Sequence, residues 1–199
     1  MIPYCLKKLI FRFLGDIRWT GWKCPLWVVW GPETFRLKGK HYRAVERIIK
    51  PGDILIRRFE GYVDKWLIPG WWNHAGIYVG TIEERQERIH RVVHAVSEGV
   101  IEEDLIDFCR TDHLIVLRGH DSWRWVAIER AKFMAGKSEY DFGFDFVDPK
   151  RLSCTELAAK CFPALIVGKR RFGRFTIVAD DFVNSPQLET VWDSRKAVV

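Results

Sequence analysis

Apolar positions along this chain repeat with two periods, one helical and one alternating, and the switches between them mark out the elements. Leu6, Leu9, Ile10, Phe13, Leu14 and Ile17 fall at helical spacing with Lys7, Lys8, Arg12, Asp16 and Arg18 between them, which predicts an amphipathic helix at the front. Residues 41–50 predict a short helix stopped by Pro51-Gly52, and 53–59 (DILIRRF) a first strand. An aromatic loop over 61–73 holds Tyr62, Trp66, Trp71 and Trp72. Strands are expected at 74–80 (HAGIYVG) and 90–96 (HRVVHAV), joined by a polar loop over 81–88. Further along, the pattern predicts a short helix at 103–109, a strand at 113–118, a helix at 122–135 ended by Gly136, and an aromatic and acidic turn over 140–145. After the helix that begins near 154 come a basic loop at 169–174, a strand at 175–178, a helical turn at 180–183 and a last strand at 188–192. Strands that follow one another this closely form an antiparallel meander.

The meander has a consequence for two histidines. With residues 74–80 and 90–96 paired about a loop centred on Glu84, His74 faces His94, Gly76 faces Val92 and Tyr78 faces His90. Directly opposed side chains share a face, with Cβ atoms about 5 Å apart. Gly76 would leave room beside the histidines for a close neighbour, such as the end of a helix. A shifted register would bring Glu98 opposite His74 instead. A histidine on a strand face is also ordinary half-buried packing.

One helix start carries chemistry of its own. Ser153 followed by Glu156 is a capping box, so Ser153 is the N-cap and Cys154 the first helical residue. Free N–H groups and the positive end of the helix dipole favour thiolate there, as an acyl-transfer nucleophile requires. By this reading Cys154 is the thiol an alkylating agent strikes first. The alternative is a small buried residue at a helix end. Cys161, two turns further along, reads as core.

Charge and composition add to this picture. The 199 residues are 48% hydrophobic, enough for one domain with an appendage. The five cysteines, Cys5, Cys24, Cys109, Cys154 and Cys161, form no close pairs and no zinc spacing, and read as reduced thiols of a cytosol-like compartment. Residues 1–50 carry 11 Lys/Arg against 3 Asp/Glu, while the remainder is slightly acidic. The basic charge therefore lies away from Cys154, which argues against a nucleic-acid groove. It suits an anionic membrane surface contacted through residues 1–30, where Trp19, Trp22, Trp27 and Trp30 accompany the amphipathic helix. The same helix and tryptophans could instead pack on the domain. Arg12 interrupts any signal-peptide core, and no apolar run reaches the roughly 18 residues of a membrane span.

The motifs GDIL (52–55), HAGIYVG (74–80), VVHA (92–95), YDFGF (140–144), CTEL (154–157) and ADDF (179–182), in this order, resemble the YiiX/YaeF-like permuted papain-like hydrolases of the NlpC superfamily, which are related to lecithin retinol acyltransferase-like enzymes. The histidine strand precedes the cysteine helix, which is the permuted order. The resemblance implies an α+β, permuted papain-like (NlpC-type) fold, with an antiparallel sheet or half-barrel packed on the nucleophile helix. It covers residues 45–192, leaving a basic, Trp-rich extension at 1–44 and a tail at 193–199. It implies Cys154 as nucleophile, His74 as base and His94 as the residue orienting His74. Many permuted relatives have Glu at the last position. His94 resembles the acyltransferase branch, and Glu98 is the alternative orienter.

The expected activity is thiol acyl transfer on an amide of a peptide or cell-wall substrate, with Trp71, Trp72 and Tyr140 as candidates for the substrate wall and no metal or organic cofactor. A lipid-acting thiol hydrolase or acyltransferase at a membrane surface is the alternative, favoured by the basic front and His94. A catalytically idle membrane-docking module is a third reading, against which the joint presence of Cys154, His74 and His94 argues.

Overall fold

The structure is a computed structural model. It describes residues 3–14, 17–19, 28–30, 35–60, 70–144, 146, 148, 150–171 and 173–196, without the side chains of 11–14, 17–19, 28–30 and 174. The elements in chain order are α1 (Tyr4–Leu14), β1 (Ile17–Trp19), β2 (Val28–Trp30), α2 (Gly39–Ile48), β3 (Ile54–Arg58), β4 (His74–Glu84), β5 (Glu87–Val96), β6 (Gly99–Asp104), α3 (Leu105–Phe108), β7 (His113–Arg118), α4 (Asp121–Met134), α5 (Cys154–Cys161), β8 (Lys169–Arg171), β9 (Arg174–Thr176), α6 (Ala179–Val183) and β10 (Glu189–Asp193). Six strands form one antiparallel sheet in the order β10-β7-β3-β4-β5-β6.

The sheet separates two apolar layers, as the alternation of its strands requires. On one face Ile54, Ile56, Ala75, Ile77, Val93, Ala95, Ile115 and Leu117 pack against Ala127 and Ala131 of α4 and Leu157, Ala158 and Cys161 of α5. On the other, Leu55, Tyr78, Val92, Leu114 and Val116 meet Val45 of α2 and Leu105 and Phe108 of α3. Asp53 of the GDIL motif is fully buried and gripped by both arms of Arg118, at 2.7 and 2.6 Å, which ties the start of β3 to the end of β7.

Several expectations are corrected. The polar stretch 81–88 is not a loop: β4 runs to Glu84, β5 starts at Glu87, and Arg85 and Gln86 turn the chain with φ of 49° and 70°. Two positive φ values are what a two-residue hairpin turn of this twist demands. Nothing in Arg-Gln advertises that turn. Its tip is centred after Glu84, which carries the ladder past the expected register, and a bulge at Tyr78/Gly80, with Gly80 at φ +108°, takes one position back, so Gly76 and not His74 lies opposite His94. The 103–109 helix shrinks to Leu105–Phe108, capped by Asp104, whose carboxylate accepts from the Ile106 N–H at 2.9 Å. Glu103 belongs to a strand, β6, whose acidic end hides it in the sequence. The basic stretch 169–174 opens a β8–β9 hairpin.

At the front, α1 is amphipathic. Its Tyr4 hydroxyl donates to the Tyr140 carbonyl at 2.9 Å, while Leu6 and Leu9 are exposed. Trp22 and Trp27 lie outside the described residues, as do the side chains of Trp19 and Trp30, and Tyr62 and Trp66 lie outside as well. No described helix is long and apolar enough to cross a membrane.

Candidate active site

Cys154 opens α5 as the sequence requires. The Ser153 hydroxyl accepts from the Glu156 N–H at 3.3 Å and the Glu156 carboxylate accepts from the Ser153 N–H at 2.6 Å, closing the capping box. The second Glu156 oxygen accepts from the Phe146 N–H at 3.0 Å, so Phe146 is tied to the same turn. Ser153 and Glu156 are buried, which holds the first turn rigid. The thiol lies on the α4/α5 face of the sheet, against the backbone N–H of Ala75 and that of Thr155. Burial pushes it up to about 11, against which those N–H groups and the charge of Arg57 pull down.

His74 is the first residue of β4, one peptide from Ala75, and alternation sends its ring to the opposite face. There its Nε2 lies 2.8 Å from His94 Nδ1, with the rings perpendicular, and Phe108 packs against both. The two histidines share a face as expected, but diagonally, because of the shifted register. The space left by Gly76 is taken by Phe108, not by α5: a Cβ there would come within 2.7 Å of the Phe108 ring. Among the described residues no hydrogen bond joins the side chains of His74 and Cys154. The thiol approaches the beginning of β4 from one side and the imidazole leaves it on the other, at a strand end where His74 keeps part of its exposure.

Two charged residues not read from the sequence complete the cluster. Glu103 Oε2 is 3.1 Å from His94 Nε2, and Arg57 Nη1 is 3.8 Å from the same carboxylate oxygen. Arg57 is buried beside His74, its partner across β3 and β4, and donates to the Phe108 carbonyl at 3.0 Å with its guanidinium over the Phe108 ring. Burial first, and then the charge of Arg57, hold His74 well below the ordinary imidazole range. His94 is lowered by burial and by Arg57, against the pull of Glu103. Glu103 is raised by burial and lowered by His94 and Arg57, with a net shift below the ordinary carboxylate range. The signal for Glu103 was its parity with His94 in a neighbouring strand, visible only once β6 is recognised.

The remaining expected site residues are dispersed. Glu98 is exposed in the turn between β5 and β6, and the sheet brings His94 rather than Glu98 to His74. Trp72 is buried in the core, its backbone N–H donating to the carboxylate of Asp180 of the ADDF motif at 2.9 Å, which fixes the entry to β4. Trp71 is half-buried, edge-on to Trp72, with Arg58 and Arg195 over its ring. Tyr140 packs on Phe142 and Phe144. Cys161 is fully buried, as a core residue should be. Among the described residues no three His, Cys, Asp or Glu side chains are grouped to hold a metal ion.

A histidine strand that precedes a capped cysteine helix, on one antiparallel sheet, defines a permuted papain-like cysteine hydrolase. A family model described as permuted papain-like amidase enzyme, YaeF/YiiX, C92 family, matches residues 48–198, and the chain belongs to that family. Among solved structures it is similar to yiiX from Escherichia coli O157:H7, described as a metalloprotein, with 17% identity and a TM-score of 0.57 over 73% of this chain and 97% of that one; a likeness at that identity speaks to the fold alone. None of the curated proteins matches this chain.

Proposed function

We propose that this cysteine amidase cleaves an amide bond of a peptide or cell-wall substrate, with Cys154 as nucleophile, His74 as base and His94 orienting His74. The observation that carries the assignment is the 2.8 Å contact between His74 Nε2 and His94 Nδ1. It commits Nε2 of His74 to His94, so Nδ1 is the nitrogen that would take the thiol proton once the two groups, which approach the start of β4 from opposite faces, come within reach.

The resting pair is neutral, since the thiol is pushed up to about 11 and His74 is held low. General-base attack follows from that state. His74 Nδ1 takes the thiol proton as the sulfur bonds to the carbonyl carbon. The oxyanion is met by the Cys154 N–H, which is free of the helix ladder at its first position. His74 then returns the proton to the leaving nitrogen as the C–N bond breaks. Water, giving its proton to His74, attacks the thioester, releases the acid and regenerates the thiol.

A lipid amide or ester is the second reading. It is favoured by α1, which exposes Leu6 and Leu9 beside Lys7 and Lys8 and is tied through Tyr4 to Tyr140. The test is to incubate the protein with peptidoglycan fragments, with peptide amides and with N-acyl lipids, and to identify the adduct on Cys154 by mass. A peptide or muropeptide adduct supports the first reading and a fatty-acyl adduct the second. Absence of any adduct together with absence of turnover rejects both.

A further inference from the structure

Glu103 lies on β6, opposite Val92 and on the face that carries His94. Its Oε2 and His94 Nε2 are buried and lie 3.1 Å apart as an ion-pair contact, and neither makes a hydrogen bond of good geometry to any described residue. Buried polar atoms without partners are costly, and each of these two is the polar atom within reach of the other, so a small rotation of the Glu103 carboxylate would satisfy both.

We infer that Glu103 is a positioning residue that sets the tautomers of both histidines, so that His74 keeps a bare Nδ1 for the Cys154 proton. The inference rests on the amidase reading above only in naming the proton. An ionised carboxylate can only accept, so the His94 nitrogen facing it must carry the hydrogen. Neutral His94 then has its lone pair on Nδ1, 2.8 Å from His74 Nε2. His74 must therefore carry its own hydrogen on Nε2, and its Nδ1 is the free base. With the other tautomers, the His94 Nε2 lone pair would face the carboxylate, and His74 would carry its hydrogen on Nδ1, where it cannot act as a base.

Arg57 completes the balance. Its guanidinium is held by the Phe108 carbonyl at 3.0 Å and lies 3.8 Å from Glu103, so cation and anion flank a histidine pair that is neutral at rest. Once His74 has accepted a proton, Glu103 supplies through His94 the fixed negative charge that His94 lacks.

The experiment uses the full-length protein with 15N-labelled histidine and long-range proton–nitrogen correlation spectra at neutral pH. Both His74 and His94 should show the Nε2–H tautomer. A His94 proton resident on Nδ1 in the wild type overturns the inference. In Glu103→Leu, which removes the acceptor, the His94 preference should be lost. Acylation of Cys154 by p-nitrophenyl acetate, followed by mass, should slow by roughly 10-fold or more, part of the about 10²–10⁴-fold a general base supplies. Unchanged tautomers and an unchanged acylation rate in that variant also overturn it. If Glu103→Leu does not fold, the wild-type spectrum still decides. A Cys154 that never acylates in a protein with the expected tautomers defeats the amidase reading and leaves the Glu103 assignment standing.

Discussion

His74 and His94 meet across a diagonal of the sheet: Gly76, not His74, is paired with His94, yet the two ring nitrogens lie 2.8 Å apart. A diagonal pair leaves room for Phe108 over Gly76 and turns the far nitrogen of His94 toward Glu103 on β6. The second histidine is thus the middle of a chain that ends on a carboxylate, which changes what substitutions there should do.

His74→Ala should abolish acylation of Cys154, and His94→Ala should leave a weak residual rate, because the base remains but is not aimed. His94→Glu imitates the arrangement of permuted relatives, but it would set a second carboxylate beside Glu103. Two carboxylates at such a distance cannot both ionise freely. The single variant should therefore stay impaired, and the double variant His94→Glu/Glu103→Gln should recover activity. Recovery by His94→Glu alone, measured as acylation rate, would contradict the Glu103 contact.

Arg57→Met should shift the acid limb of the acylation pH profile toward higher pH. The cation lowers His74, so removing it lets His74 hold its proton up to a higher pH, and protonated His74 is not a base. It also removes a charge that favours the Cys154 thiolate. Breaking its contact with the half-exposed Glu103 should cost about 1–3 kcal/mol, at or below the low end of what a broken buried ion pair costs. An acid limb that does not move shows that the guanidinium does not govern His74.

How much of this was legible in the chain can be read from neighbouring residues. The Ser153–Glu156 box announced the start of α5 because a capping box is local, and both of its bonds are present. Strand parity placed His74 and His94 on one face because parity survives a shift of register by two. The register itself depended on the Arg85–Gln86 turn and the bulge before Gly80, where no residue type signals the geometry strongly. Glu103 and Arg57 were missed for a related reason. The sequence pattern puts Glu103 in a helix and Arg57 in a strand and singles out neither, because what each touches comes from neighbours distant in sequence.

Ser153→Ala should lower stability by about 1 kcal/mol, the usual cost of losing an N-cap oxygen. Glu156 would keep its bonds to the Ser153 and Phe146 backbone, so the helix should still begin at Cys154 but with a looser first turn. The readouts are the thermal midpoint and the Cys154 acylation rate, both of which should fall. If neither changes, the hydroxyl does not hold the turn.

Alkylation and acylation should select different thiols. The helix dipole alone puts Cys154 first for iodoacetamide, but Cys5 is exposed whereas Cys154 is buried and pushed up to about 11. At neutral pH iodoacetamide should therefore modify Cys5 before Cys154, reversing the order read from the sequence. An acyl donor that fits the site should still acylate Cys154, because there His74 removes the proton during attack. Peptide mapping of both reactions checks this, and acylation confined to Cys5 would remove the nucleophile assignment.

Stability should be greatest near neutrality and fall on both sides, for reasons that belong to the site itself. His74 and His94 are both held below their ordinary value of 6.5 in the folded chain. As pH falls through 6.5 the unfolded chain takes up protons that the folded chain refuses, so unfolding is favoured. Their contribution is complete above 6.5 and is lost progressively below it. The thiols act in the opposite direction. Cys154 is raised from 9.0 to about 11 and Cys109 to about 12, so above pH 9 the unfolded chain ionises first and stability falls again. For Cys154 the loss approaches about 2–3 kcal/mol by the upper end of its range, at 1.36 kcal/mol for each pH step between the two values. Urea midpoints measured across pH should trace this dome. In His74→Phe, which keeps an aromatic ring against Phe108 and removes the ionisable group, the acid side should flatten. A midpoint that rises as the wild type is taken from neutral pH toward 5, or an acid limb unchanged in His74→Phe, would show that the buried imidazole does not control the acid response.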